Sequence, residues 1–190
     1  KSCRLPEHHV QLWNGFIYVN LSANAAPFAH PELDEMLAPY ETEDFRLVHV
    51  AEEDWQTNWK CLVENIMEGN HLSVVHPQTL QGYTPSGLSR KLVNGDGYTS
   101  YAANYPDSIT PRGDGAAGLS DAERKRSSLF AKFPTQVASQ AASLLVSLSI
   151  FPIHANLIRV KWTMSVYRDN LDHDTIQQRN ALWEEVNQEH

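Results

Sequence analysis

The dipeptide Asn14-Gly15 sits between two apolar, aromatic-rich runs, Val10–Trp13 and Phe16–Leu21. Both central residues of a type I′ turn need positive φ, which Asn and Gly accept more readily than other residues. This stretch is therefore a β-hairpin. A short helical turn is expected over Glu32–Leu37 and a strand over Phe45–Ala51. Residues 54–76 are the most helical part of the first half: Trp55, Trp59, Leu62, Val63, Ile66 and Met67 recur every three or four positions, and Pro77 closes the pattern. Strands follow over 97–105, 142–151 and 157–167, the last two around a turn near Pro152–Asn156. Ser120-Asp-Ala-Glu123 is a capping box opening a short helix. Residues 174–190 are helical, with Ile176, Leu182, Trp183 and Val186 on the apolar face. Strands, helix, strands, helix in that order imply an α+β fold, an antiparallel sheet packed on helices.

Composition narrows the function. Fifteen Lys and Arg against twenty-three Asp and Glu give a net charge of −8, with no basic stripe, so nucleic acid and anionic membrane surfaces are not the expected partners. The longest apolar-leaning stretch, Ala141–Phe151, contains three serines and falls far short of the roughly 20 residues a membrane span needs. Two cysteines, Cys3 and Cys61, cannot build a disulfide framework, and a reducing, cytoplasmic setting is expected. The nine histidines are more than this length usually carries.

Two of them stand in Glu68-Gly-Asn-His71-Leu-Ser-Val-Val-His76-Pro77. Glu68 and His71 are three apart and share a helix face. His71 and His76 are five apart, which on an ideal helix separates them by about 140°. They converge on one metal only where the helix ends or distorts, and Pro77 disfavours helical backbone at His76. A buried helix with two incidental histidines is the alternative. His-Glu-x-x-His is absent, which weakens zinc peptidase chemistry; two imidazoles and a carboxylate, the facial triad of non-haem iron oxygenases, stay open.

Asn58-Trp59-Lys60, Val63-Glu64-Asn65 and Glu68-x-x-His71-x4-His76-Pro77 together resemble the catalytic domain of Rieske-type ring-hydroxylating oxygenase α subunits. Trp13–Leu21 is similar to the family's hairpin after its second cluster-binding motif, and Leu182–Glu189 to its late helix. The resemblance implies a helix-grip-like catalytic domain over residues 26–190, preceded by a residual Rieske-domain hairpin and linker over 1–25. It implies that His71 and His76 hold a mononuclear Fe(II). Glu68 would be the acidic bridge that carries electrons from a neighbouring subunit's Rieske [2Fe–2S] centre, in the Glu form of the choline- and carnitine-oxidising branches. The third ligand, usually Asp, aligns with His190, or with Glu189 if the alignment slips by one residue. Substrate and O2, a reductase or ferredoxin donor and a homotrimeric assembly are the implied partners.

The Rieske motifs Cys-x-His and Cys-x-x-His are absent, so this chain does not itself ligate a [2Fe–2S] centre, which needs two cysteines and two histidines. The chain is expected to be a piece of a longer oxygenase, inactive in multiple turnover by itself. The reaction is expected to be mono- or dioxygenation: hydroxylation, or oxidative demethylation, of a small aromatic or quaternary-ammonium compound. Trp55, Trp59, Tyr83, Tyr98, Tyr101 and Tyr105 are candidates for the cavity wall, although core packing is the better account of any single one, Trp55 and Trp59 on the apolar stripe above all, and no substrate contact is assigned among them. Residues 78–89 could form a lid. His8, His9 and His173 are expected in solvent, and Cys61 inside the helix as a small buried hydrophobe. The alternatives are a metal-free helix-grip module that binds a ligand without catalysis and, last, a zinc hydrolase using His71, His76 and His190.

Overall fold

The computed structural model describes residues 7–111 and 113–189; Cys3 and His190 lie outside them. The chain opens with β1 (His9–Trp13) and β2 (Phe16–Asn20), paired antiparallel with Trp13 opposite Phe16. Asn14 and Gly15 both have positive φ, 47° and 81°, as the type I′ turn requires. This hairpin is a sheet of its own, yet it is not detached. Trp13 and Phe16 pack on the main core, and the Trp13 indole donates to Asp34 at the first helix, α1 (Pro31–Leu37).

Among the described residues, seven further strands form one antiparallel sheet. They are β3 (Phe45–Trp55), β4 (Ser89–Lys91), β5 (Tyr98–Asn104), β6 (Arg126–Lys132), β7 (Gln136–Gln140), β8 (Leu144–His154) and β9 (Leu157–Tyr167), in the spatial order β3-β9-β8-β7-β6-β5-β4. The one-turn helix α4 (Asp121–Arg124) enters β6 and carries the expected capping box between Ser120 and Glu123. β9 shows why these residues make a strand: Ile158, Val160, Trp162, Met164 and Val166 alternate inward, while Arg159 and Lys161 face out.

Neighbours such as Phe130 and Ala131, or Leu145 and Val146, point to opposite faces of the sheet and join different core clusters. One cluster lies under α1 and the other under α2 (Trp59–Ile66), with Trp183 of α5 (His173–Gln188) packed beside it. The sheet centre is therefore covered on both sides.

Several expectations change. The single helix over 54–76 is three pieces. Residues 54–55 end β3, so Trp55 belongs to a strand; α2 starts after Asn58, whose side chain accepts from the Lys60 amide; α3 is only Leu72–Val75. Cys61 is exposed on the outer face of α2, not buried, because Leu62 and Val63 take the core side. The turn joining β8 to β9 is at Ala155-Asn156, with Pro152 still in the strand. β4, β6 and β7 carried no apolar alternation to reveal them. Their inward positions include Ser128, Gln136 and Gln140, which are buried but satisfied: Ser128 with the Tyr40 hydroxyl, Gln136 donating to Ser147, Gln140 to the Ala141 carbonyl. Among the described residues, no helix is long and apolar enough to cross a membrane.

Ile150 is fully buried between β7 and β9 beside Trp162. We expect Ile150→Ala to lower unfolding free energy by about 2–5 kcal/mol in urea titrations. Val74→Ser, at a position 79% exposed, should change it by less than about 0.5 kcal/mol.

Candidate functional site

The site begins where α2 stops. After Ile66 the backbone leaves the helix at Met67. The Glu68 carboxylate then accepts from the amides of Asn70 (2.6 Å) and His71 (3.3 Å), offering the chain an alternative to another helical turn. Gly69 is pressed against β4: a Cβ there would lie 2.1 Å from Ser89 Oγ, so no side chain fits without displacing the strand. The Tyr101 hydroxyl donates to the Glu68 carbonyl from β5 (3.3 Å). Burial pushes that phenol far above its ordinary pKa, so it stays a neutral donor.

His71 and His76 bracket α3. His71 is its N-cap, with helical φ and ψ, and His76 is its C-cap at φ −112°, ψ 51°. The departure from helical backbone before Pro77 is the one the sequence implied. A second break precedes His71, so Glu68 meets His71 through a turn rather than along a helix face.

The two rings lie 5.4 Å apart between centroids, inclined at 64°, and both line one cavity of about 90 Å³. Two imidazoles bound to one ion at about 2.1 Å would place their centroids about 4.6–5.3 Å apart. His71 Nδ1 contacts Glu68 Oε1 in a short hydrogen bond. His76 Nδ1 lies 2.7 Å from Glu189 Oε2 at the C-cap of α5, and the same oxygen accepts from the Thr79 hydroxyl.

Burial would raise the Glu68 carboxyl, but hydrogen bonds from His71 and Asn70 outweigh it and hold it below the usual range. The Thr79 hydroxyl, and then His76, outweigh burial at Glu189 in the same direction. Both are acceptors at neutral pH. An ionised carboxylate only accepts, so each ring carries its proton on Nδ1, and Nε2 is the nitrogen able to bind a metal.

Among the described residues, no group of three or more His, Cys, Asp or Glu side chains is gathered as a metal cage. The structure brings together two imidazole–carboxylate pairs. Two imidazoles with carboxylates behind them are a donor set suited to Fe(II) or Zn(II).

The cavity adjoins a second of about 100 Å³ across shared walls of Leu72, Leu80, Tyr101, Leu129 and Trp183. Tyr83 and Tyr105, with ring centroids 4.4 Å apart, line the second, and Trp55 lines the first. Trp59 and Tyr98, also candidates, are absent from both walls: Trp59 packs on the core under α2, and Tyr98 donates to Glu32 beneath α1. Segment 78–89 covers the cavity with Thr79, Leu80, Tyr83 and Thr84, pinned by reciprocal hydrogen bonds between Ser73 and Ser86. Thr79 carried no signal in the sequence; only the return of α5, 110 residues later, shows its partner. His8, His9 and His173 are exposed, as expected.

A family model described as the ring hydroxylating alpha subunit (catalytic domain) matches residues 26–189, and the chain belongs to that family. The fold is similar to that of a quaternary ammonium Rieske monooxygenase, CntA, solved with an inhibitor: TM-score 0.75, 18% identity, 96% of this chain and 48% of that one. It is also similar to NdmB of Pseudomonas putida CBB5 (TM-score 0.57, 16% identity, 96% and 49%). NdmA of the same organism, solved with caffeine, gives TM-score 0.55 at 13% identity, over 95% and 53%. The chain thus spans about half the length of each of these structures. No protein of curated function matches it significantly.

Tyr101→Phe removes the donor to the Glu68 carbonyl while keeping the ring in the cavity wall. We expect a loss of about 0.5–1.5 kcal/mol in urea unfolding, with the fold unchanged by circular dichroism.

Proposed function

We propose that this domain is the catalytic domain of an iron-dependent oxygenase, acting on a small aromatic or quaternary-ammonium compound by hydroxylation or oxidative demethylation. One observation carries the reading: in a fold of this family, a half-buried imidazole and a buried one converge on an aromatic-lined cavity, each with Nδ1 on a carboxylate. His71 and His76 would hold Fe(II) through Nε2, with a third ligand from the 189–190 stretch. Bound there, the iron supplies a centre at which O2 is reduced with electrons from a Rieske [2Fe–2S] centre.

The chain's own residues do the rest. Glu68 fixes the ring of His71 and, 37% exposed, reaches from that ring to the surface, where a second redox centre could approach. Leu72, Leu80, Leu129 and Trp183 exclude water and hold the substrate beside the imidazoles. Tyr83, Tyr101 and Tyr105 offer π faces that suit a flat ring or an N-methyl cation. The solved relatives named for quaternary ammonium oxidation or bound to caffeine make N-methyl compounds the first substrates to try.

Anaerobic titration of the metal-stripped chain with Fe(II) tests the reading. One equivalent should bind. His71→Ala and His76→Ala should each abolish binding, whereas Glu68→Gln should retain the iron, since the amide fills the same space. A chain that binds no metal but does bind N-methyl ligands would instead be a helix-grip binding module.

A further inference from the structure

We infer that Glu189, seconded by Thr79, is the positioning carboxylate of His76, the counterpart of Glu68 at His71, and does not coordinate the metal. The inference rests on the iron reading above and assigns Glu189 a role within it. A metal on Nε2 of His76 lies across the ring from Nδ1. Taking about 2.1 Å to the metal, about 2.2 Å across the ring and 2.7 Å on to Glu189, Oε2 is about 7 Å from the ion. One carboxylate oxygen cannot accept from Nδ1 and ligate at Nε2 of the same ring. Among the described residues, no third His, Cys, Asp or Glu joins the pair, in keeping with Glu189 being turned to the far side of the ring.

Three features hold it there. His76 is 1% exposed, so its ring has little room to turn. The Thr79 hydroxyl donates to the same Oε2 from the turn that follows Pro77. The Glu189 amide closes α5 on the Glu185 carbonyl, which ties the carboxylate to a long helix. The contact bridges residues 113 apart in sequence, so α5 must be docked before His76 is oriented. A carboxylate behind a ligating imidazole fixes its tautomer and raises its basicity.

The test starts with the metal-free chain. Long-range 15N–1H correlation at a pH where the ring is neutral should show His76 protonated on Nδ1. Glu189→Ala should release it toward the Nε2–H form. Co(II) titration should then show affinity falling about 10–100-fold in Glu189→Ala, with the visible spectrum of the bound ion unchanged. Thr79→Val, which leaves the carboxylate in place, should give a smaller loss in the same direction. An Nε2–H tautomer in the parent chain would overturn the inference, as would an altered cobalt spectrum in Glu189→Ala, which marks a lost ligand. An Nδ1–H tautomer in a chain that binds neither Fe(II) nor Co(II) would uphold the contact and sink the iron reading.

Discussion

The arrangement of the site depends on the end of α2 at Met67, after which the Gly69 backbone lies against β4 with no room for a Cβ. The Glu68 side chain takes up the amides of Asn70 and His71, so the break leaves few unsatisfied donors. His71 then starts a new helical turn, and His76 ends it by leaving the helical backbone before Pro77. The two imidazoles that bracket this turn line a common cavity.

That cavity exists because the sheet and its helices enclose it on several sides. β5 through β8 form one wall, α3 and the turn after it a second, and α5 a third. The strands that form the wall carry small or polar residues, including Ser127 and Ser139, where a fully apolar core would have large ones. Small side chains leave space, and the surrounding Tyr, Trp and Leu residues make that space apolar. The carboxylates stand behind the imidazoles rather than in the cavity, so negative charge orients the two rings while the cavity stays uncharged on that side.

Much of this was legible from one sequence, for reasons of periodicity and turn chemistry. The hairpin follows from Asn14-Gly15 between apolar runs. β9 follows from strict alternation, and α5 from its apolar stripe. The capping box at Ser120–Glu123 is local and formed as read. Glu68, His71 and His76 were visible because their spacing resembles a family motif. What was hidden was non-local. β6 and β7 are buried on both faces, so alternation vanishes, and their buried Gln and Ser are paid for by partners elsewhere in the fold. Trp55 fitted a helical stripe in sequence, but pairing with Ile158 drew it into β3. Cys61 looked internal by neighbourhood and proved external by phase.

The sequence by itself determined the element types with strong local signals, the family, and the pair of histidines with Glu68 beside them. Tertiary structure alone set the Gly69 backbone against Ser89, a contact between residues 20 apart. It alone brought Thr79 and Glu189 to His76, because their contact closes a loop of more than a hundred residues. Local propensity acts over a few residues, whereas the orientation of an imidazole is set by whatever packs against its far nitrogen.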